Sequence, residues 1–376
     1  MPILLSIFYF FYFSIVGVYL IFLPKVLADI AYSASEIGII FAAGPLVRFI
    51  LPFLFMRGFE LTRTIFNGAL LLMVLSAVAF YFSIYDFYKL LLSNIFLGVG
   101  MSLILPYVEV VSLQTIGKER YGKVRLFGSV GFVLVALVLV ELLSSPYTAL
   151  NFLLGLSVVT ALVAFVIAKQ VTKKEVEKEK KHNDINLLKD YKLWGGLILM
   201  QMSFGAFYNF FTIYVTSHNI ALDMTIYLWS FGVLVEIVML YFQGRLLHGN
   251  LLLLLQITTL VSALRWFLVF AYPDNLSLLF FTQSIHALSF ALFHSAAISY
   301  LFQLYRHKTL AQQFFSGITY GLGGLSGALI SGYIYEWYPE YLFLSSAFMA
   351  FGAFLFIYFW SLQERRRVLS QEAQNA

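Results

Sequence analysis

Residues 169–192 read KQVTKKEVEKEKKHNDINLLKDYK, a run that is dense in charge and almost free of apolar side chains, while the chain on either side is apolar over long distances. Such a run is typical of a solvated linker. It predicts an N-terminal half over 1–168, a cytoplasmic linker over 169–192, a C-terminal half over 193–364 and a cytoplasmic tail over 365–376.

The composition excludes a soluble globular protein. Of the 376 residues, 61% are hydrophobic and 11% are charged, against about 45–50% and about 25% in an ordinary soluble domain. The net charge of +5 does not indicate nucleic-acid binding, because that function needs a basic face on a soluble fold. The chain has no cysteine and six scattered histidines. We therefore expect no cofactor, no metal site and no enzymatic activity.

The apolar segments predict an all-α membrane protein. A bilayer core of about 30 Å requires about 20 apolar residues per helix, and twelve segments of that length separate into six before and six after the linker. The first segment has no basic residue before it and no cleavage pattern, so it is interpreted as a retained span and not a signal peptide. The predicted spans are 3–23, 35–56, 64–84, 88–110, 124–143, 147–168, 193–215, 225–244, 251–271, 275–303, 310–335 and 341–362.

The distribution of Lys and Arg predicts the orientation. With both termini in the cytoplasm, 20 of the 24 basic residues fall in inner loops, the linker or the tail, and only Lys25 and Lys89 fall in outer loops. Basic residues concentrate on the cytoplasmic side of membrane proteins. Short termini and compact loops favour a bacterium, so we expect a multi-pass, monomeric protein of the cell inner membrane.

The two halves repeat each other. Gly44-Pro-Leu-Val-Arg48 matches Gly232-Val-Leu-Val-Glu236 at an offset of 188 residues, the same offset relates Arg57 to Arg245, and an offset of 189 relates Gly128 to Gly317. Twelve spans as six plus six, a charged central loop and inside termini resemble the major facilitator superfamily. That resemblance implies two six-helix bundles with a substrate path between them that opens alternately to each side.

Ionisable residues within spans are candidates for function because a charge costs several kcal/mol in the bilayer centre. At about 1.5 Å per residue, Glu236 and His286 lie near the midplane, which makes Glu236 the candidate proton site with His286 as its partner. Alternatively, Glu236 and Arg265 form a fixed ion pair. Arg48 has no acidic partner at its depth in its own half. Its charge is met by an anionic ligand, by Glu236 across the path, by backbone carbonyls or by water.

The superfamily resemblance implies that the first, fourth, seventh and tenth spans line the path. The polar side chains that they supply are the remaining candidates for substrate binding: Tyr12, Asn94, Gln201, Tyr208, Asn209 and Gln283. The amides are the better candidates, since a buried amide needs a partner, whereas a single Tyr more often packs. Glycine-rich stretches around Gly128 and Gly321 indicate close helix packing.

Charged residues near the cytoplasmic ends of the spans are candidates for a gate of ion pairs, although anchoring on the positive inner side explains the basic ones equally well. The gating candidates are Glu109, Arg57, Arg125, Arg245 and His294.

A narrower resemblance is carried by five stretches: Tyr121-Gly-Lys-Val-Arg-Leu-Phe-Gly-Ser129, Leu46-Val-Arg48-Phe, Tyr227-Leu-Trp-Ser-Phe-Gly-Val-Leu-Val-Glu236, Leu264-Arg265-Trp266, and His286 followed by His294. These resemble the 3-phenylpropionic acid transporter family, a group related to the lactose permease and nucleoside–proton symporters. The resemblance implies proton-coupled uptake of a small organic acid, with aromatic acids among the candidates. The chain departs from the pattern in the loop Arg57-Gly-Phe-Glu-Leu-Thr-Arg63 and at Phe127, where the relatives have Trp.

The sequence therefore predicts a secondary transporter that moves a small organic acid with protons by alternating access. Arg48 would bind the anionic group, Glu236 with His286 would handle the proton, and Arg265 would set the acidity of Glu236. The alternatives are a sugar or nucleoside proton symporter and a drug-efflux facilitator. A membrane sensor would add a soluble output domain, and a membrane enzyme would need a catalytic cluster that the sequence does not offer.

Overall fold

A computed structural model describes residues 1–170 and 185–375, and these form twelve long helices and no strand. The helices are α1 (Pro2–Asp29), α2 (Ala34–Met56), α3 (Arg63–Ser83), α4 (Phe87–Gly117), α5 (Arg120–Leu142), α6 (Pro146–Gln170), α7 (Tyr191–Ser217), α8 (Leu222–Phe242), α9 (Leu251–Ala271), α10 (Leu276–Leu304), α11 (Lys308–Phe314, Phe315–Gly323 and Gly324–Trp337) and α12 (Leu342–Asn375). The predicted all-α fold with twelve helices is confirmed.

Eleven of the helices in the described chain are long and apolar enough to cross a membrane. The exception is α11, whose middle segment, Phe315–Gly323, is π-helical and separates two shorter α-helical parts. Two further π-helical stretches are Val18–Phe22 in α1 and Ala287–Leu292 in α10. In α7 the helix is interrupted at Phe204, between Ser203 and Gly205.

Local sequence signals define where several helices begin. Ser33 and Glu36 form a reciprocal capping box at the start of α2, which satisfies two backbone N–H groups that the first helical turn leaves free. Asp86 caps α4, and the hydrogen bond from the Lys89 side chain lowers the pKa of this carboxyl. Gly117 has a φ of 73°, a conformation that L side chains rarely adopt, and it ends α4 so that α5 starts three residues later.

Helices α1–α6 pack on one another, and so do α7–α12, which gives the two bundles of a major facilitator fold. Across the bundles, α2 packs along α11, α5 contacts α8 and α1 contacts α7. Residues 171–184 of the predicted linker lie outside the described residues, and α12 continues through the predicted tail to Asn375. The bundle boundary within 169–192 therefore stays a prediction.

The loops alternate between two faces, a terminal face that carries both chain ends and an opposite face. Near the opposite face, α2 and α11 are in backbone contact, since a Cβ at Gly38 would lie 2.7 Å from the carbonyl oxygen of Ala328. At that face the backbone N–H of Ser35 donates to Glu336 Oε2 at 2.7 Å. Among hydrogen bonds between described residues, this is the one that joins the two bundles.

Candidate functional site

A cavity of about 3870 Å³ lies between the two bundles. Its walls include side chains of α1, α4, α7 and α10, as the superfamily resemblance implies, together with side chains of α2, α5, α8 and α11. The lining reaches Glu60, Arg63, Lys123 and Lys169 near the terminal face and includes no loop residue of the opposite face. The cavity is therefore open at the terminal face and closed at the opposite face.

Arg265 of α9 is fully buried and donates to three neutral groups of α10. Its Nη1 lies 3.0 Å from His286 Nδ1 and 3.3 Å from Ser289 Oγ, and its Nη2 lies 3.1 Å from Gln283 Oε1. Ser289 belongs to the π-helical stretch of α10, so this stretch supplies one of the three acceptors.

Aromatic rings complete the surroundings of the Arg265 guanidinium. Its central carbon lies 4.2 Å from the ring centroid of Trp266 and 4.5 Å from that of Phe207. Ring faces attract a desolvated cation, and they offset part of the cost of burying this charge.

The contact with Arg265 determines the tautomer of His286. Because a guanidinium only donates hydrogen bonds, His286 Nδ1 accepts, and the ring proton of the neutral histidine is on Nε2. That nitrogen lies 3.7 Å from Glu236 Oε2. Glu236, His286 and Arg265 thus form a row in which the histidine ring stands between the carboxylate and the guanidinium.

The predicted direct ion pair between Glu236 and Arg265 is wrong. The guanidinium is occupied by α10 side chains, and His286 separates it from the carboxylate of α8. The depth estimate from sequence correctly put Glu236 and His286 at one level, but it did not include the direction in which the Arg265 side chain extends.

Arg48 projects into the cavity from α2 and is solvent-exposed there. Within the described part of the chain it makes no hydrogen bond and no ion pair. Of the predicted partners, neither Glu236 nor a backbone carbonyl contacts it, which leaves solvent or a ligand.

The six polar candidates from the lining helices all border the cavity, but most are occupied by protein contacts. Asn94 donates to the carbonyl oxygen of Ile40 and pairs with the Tyr19 hydroxyl, so it connects α1, α2 and α4.

Three others of this set are also bonded within the protein. The Tyr12 hydroxyl donates to Met101 O at 3.0 Å, Asn209 Nδ2 donates to Gly205 O at 2.7 Å, and Gln283 accepts from Arg265. Among the six, Gln201 and Tyr208 have side chains without a hydrogen bond to the described protein.

The five gating candidates do not form one cluster. Glu109 accepts from the Tyr121 hydroxyl at 3.2 Å and lies 3.9 Å from Arg125 Nε, a pairing that stays within the N-terminal bundle. The exposed residues Arg57 and Arg245 neither line the cavity nor form an ion pair with a described residue. These contacts give no support to the predicted gate of ion pairs between the bundles.

His294, the fifth gating candidate, pairs within the C-terminal bundle. Its Nδ1 lies 2.6 Å from the hydroxyl of Tyr320 on α11, and both side chains line the cavity.

Sequence reasoning missed three residues at this site, Ser289, Tyr320 and Glu336. The spacing of Ser289 three residues after His286 puts both on one helix face, which was the available signal for Ser289. Tyr320 lies within a stretch whose glycines indicated only packing, and Glu336 lies at the end of an otherwise apolar span.

Aromatic rings form much of the cavity wall. Phe207 and Trp229 are 4.3 Å apart between ring centroids, and Trp229 contacts Phe132 of the other bundle at 6.4 Å. Phe13 and Phe290 also line the cavity. The cavity therefore combines an unpaired guanidinium, a carboxylate beside a histidine, and apolar ring surface.

The sequence model of the MFS_1 like family matches residues 3–362. A similar protein is the "Probable 3-phenylpropionic acid transporter" of Escherichia coli (strain K12), 25% identical over 363 residues that cover 93% of this chain and 95% of the relative. Another is the "Uncharacterized transporter YwbF" of Bacillus subtilis (strain 168), 24% identical over 365 residues that cover 91% and 88%.

Among solved structures, the nucleoside transporter NupG superposes with a TM-score of 0.75 at 15% identity, covering 96% of this chain and 98% of NupG. At this identity the likeness shows the fold alone. It agrees with the two helical bundles around a central cavity.

Proposed function

The chain belongs to the MFS_1 like family and is a membrane transporter of the major facilitator type, not an enzyme, and we propose that it moves a small organic acid together with protons by alternating access. The observation that carries the proposal is Arg48, a guanidinium in the cavity with no anion beside it among the described residues. A charge within a membrane protein needs a partner, and a carboxylate matches the two-pronged geometry of a guanidinium.

The proton is assigned to Glu236 with His286 beside it. Glu236 lines the cavity with 18% of its side chain exposed, so it can exchange protons with cavity water. Arg265 acts on it through His286 rather than by direct contact, because its donor on Nδ1 keeps Nε2–H directed at the carboxylate. Protonation and substrate binding together neutralise buried charge, and the empty, charged site resists closure on both sides.

The aromatic wall favours an acid that carries a ring. Phe207, Trp229 and Phe290 offer flat apolar surface, and such surface binds an aromatic group by burial and by stacking. The name of the Escherichia coli relative, which refers to an aromatic acid, supports the same substrate class.

A neutral sugar or nucleoside substrate is the second candidate. Gln201 and Tyr208 line the cavity without hydrogen bonds to the described protein, and they are the groups that hydroxyls of such a solute would need. Drug efflux remains a third possibility, which the direction of transport in inside-out vesicles would reveal.

The membrane setting is also part of the proposal. The Lys and Arg distribution places both termini in the cytoplasm, so the cavity as described opens inward. We expect a monomer in the inner membrane, with protons and a small solute as its partners.

The first test is pH-gradient-driven uptake in proteoliposomes with 3-phenylpropionate and benzoate beside lactose and uridine. We expect uptake of an acid, loss of that uptake in Arg48→Gln, and normal uptake in the control Arg57→Gln, whose exposed side chain lies outside the cavity. Uptake of lactose or uridine that survives Arg48→Gln would reject the acid and favour the neutral-solute candidate.

A further inference from the structure

Tyr320 is a cavity residue that the proposed function has not used. It lies in the π-helical stretch of α11, partly exposed to the cavity. Its ring packs against Phe315 and against the imidazole of His294, at centroid distances of 5.4 Å and 5.6 Å. The ring is therefore supported from within its own bundle while its hydroxyl stands at the cavity wall.

The backbone around Tyr320 is in contact with the turn of α2 that carries Arg48. A Cβ at Gly321 would lie 2.6 Å from Phe49 Cα, and one at Gly317 would lie 3.4 Å from the carbonyl oxygen of Arg48. The absence of side chains at these glycines permits the close approach. Arg48 and Tyr320 thus enter one cavity from adjoining backbones, close enough for the Arg48 charge to act on the Tyr320 hydroxyl.

The hydrogen bond of Tyr320 to His294 admits two proton arrangements. The hydroxyl and His294 Nδ1 are 2.6 Å apart, and either atom can donate because a neutral imidazole carries its proton on either nitrogen. When Nδ1 donates, the hydroxyl proton is free to point into the cavity. An ionised carboxylate only accepts hydrogen bonds, so an acid bound at Arg48 selects this second arrangement.

We propose that Tyr320 is a second ligand of the substrate carboxylate, donating to it from α11 while Arg48 holds it from α2, and that His294 is the positioning residue that orients the Tyr320 hydroxyl. This inference rests on the proposed function, since it requires that Arg48 binds an acid. It adds a contact from the C-terminal bundle to a ligand held by the N-terminal bundle. One bound carboxylate would then connect the two bundles directly.

The inference is tested by the affinity of the purified full-length protein for 3-phenylpropionate, measured by isothermal titration calorimetry. A hydrogen bond to a charged group contributes enough that its loss in Tyr320→Phe should weaken binding about ten- to a hundredfold, while the ring contacts stay. The matched control is Tyr333→Phe, which alters an exposed tyrosine of the same helix and should leave the affinity unchanged.

The positioning role of His294 is separated from a structural one by a double-mutant cycle. We expect His294→Ala to weaken binding in the wild-type background and to have no further effect in Tyr320→Phe, because His294 acts through the hydroxyl. Equal losses in both backgrounds would overturn the positioning role.

The failures of the two proposals are distinguishable. If Arg48→Gln binds weakly and Tyr320→Phe binds like wild type, the inference about Tyr320 is wrong and the proposed function stands. If wild type binds no acid, or Arg48→Gln binds normally, the proposed function fails and this inference fails with it.

Discussion

At the scale of single residues, the row of Glu236, His286 and Arg265 restricts where a proton can go. Arg265 donates to His286 Nδ1, so a second proton on that ring would place two N–H donors against each other. His286 is thereby kept as a neutral donor, and the carboxylate of Glu236 is the group that can take up the transported proton. The guanidinium acts on it across the ring.

We expect Glu236→Gln to separate accumulation from exchange. The amide keeps the shape of the side chain but cannot release a proton, so uphill uptake driven by a pH gradient should be lost while counterflow of labelled 3-phenylpropionate continues. The control is Glu141→Gln, which changes an exposed carboxylate outside the cavity. Proton-driven accumulation that persists in Glu236→Gln would remove this residue from the coupling mechanism.

The identities of these residues could be predicted from sequence, but their contacts could not. The cost of a membrane charge is sufficient to single out Arg48, Glu236, Arg265 and His286. Which of them touch depends on how each helix is rotated about its axis, and a shift of one residue turns a side chain by about 100°. For this reason the depth of Glu236 was predictable and its supposed contact with Arg265 was not.

At the scale of helices, the break in α7 exists where backbone meets backbone. Gly205 follows the interruption, and a Cβ there would lie 2.3 Å from the carbonyl carbon and oxygen of Gly327 on α11. Neither chain can yield as a flexible side chain would. The contact connects α7 and α11 below van der Waals distance for any residue other than glycine.

We expect Gly205→Ala to lower thermal stability. Overpacking of this kind costs about 1–3 kcal/mol, visible as a lower midpoint in thermal unfolding of the detergent-solubilised protein. In the matched control Gly155→Ala, the new Cβ meets nothing within 4 Å, and the higher helix propensity of alanine should leave the midpoint unchanged or raised. Equal midpoints for the two variants would show that α7 and α11 relax apart without cost.

Long apolar runs made the helices predictable, and capping residues such as Ser33 and Asp86 mark their starts. The expectation that the glycine stretches serve packing is confirmed, since a Cβ at Gly131 would lie 2.1 Å from the carbonyl oxygen of Phe10. The π-helical stretches were not predictable, because a π turn is stabilised by the surrounding tertiary contacts and has no sequence pattern of its own.

At the scale of the whole molecule, closure of the opposite face depends on the α2–α11 contact. The Glu336 carboxylate accepts from the N–H of Ser35 in the first turn of α2, where the helix dipole also favours negative charge. The terminal face has no corresponding hydrogen bond between the bundles among the described residues. Glu336 is thus placed to favour the state in which the cavity opens at the terminal face.

We expect Glu336→Ala to make the cavity more accessible from the outside. The chain has no cysteine, so Ser129→Cys introduces a single thiol at the cavity wall that a membrane-impermeant reagent can report. Loss of a charge-assisted hydrogen bond should raise the labelling rate in right-side-out vesicles about five- to thirtyfold. The control is Glu340→Ala, which removes an exposed carboxylate of the same face.

An unchanged labelling rate in Glu336→Ala would show that apolar contact of α2 with α11 alone closes the outer side. Faster labelling in inside-out vesicles only would instead contradict the orientation that the Lys and Arg distribution predicts.

The π-helical stretch of α10 also explains a detail of the internal duplication. The offset between the copies is 188 residues from Gly44 to Arg57 and 189 at Gly128. A π turn closes its hydrogen bond over one residue more than an α turn, and α10 has such a turn directly after His286 where α4, its counterpart, has none. One inserted residue accounts for the change. In evolutionary terms, the second copy diverged at this point by a shift of register, so its histidine and serine have no ancestral equivalents to be sought in the first.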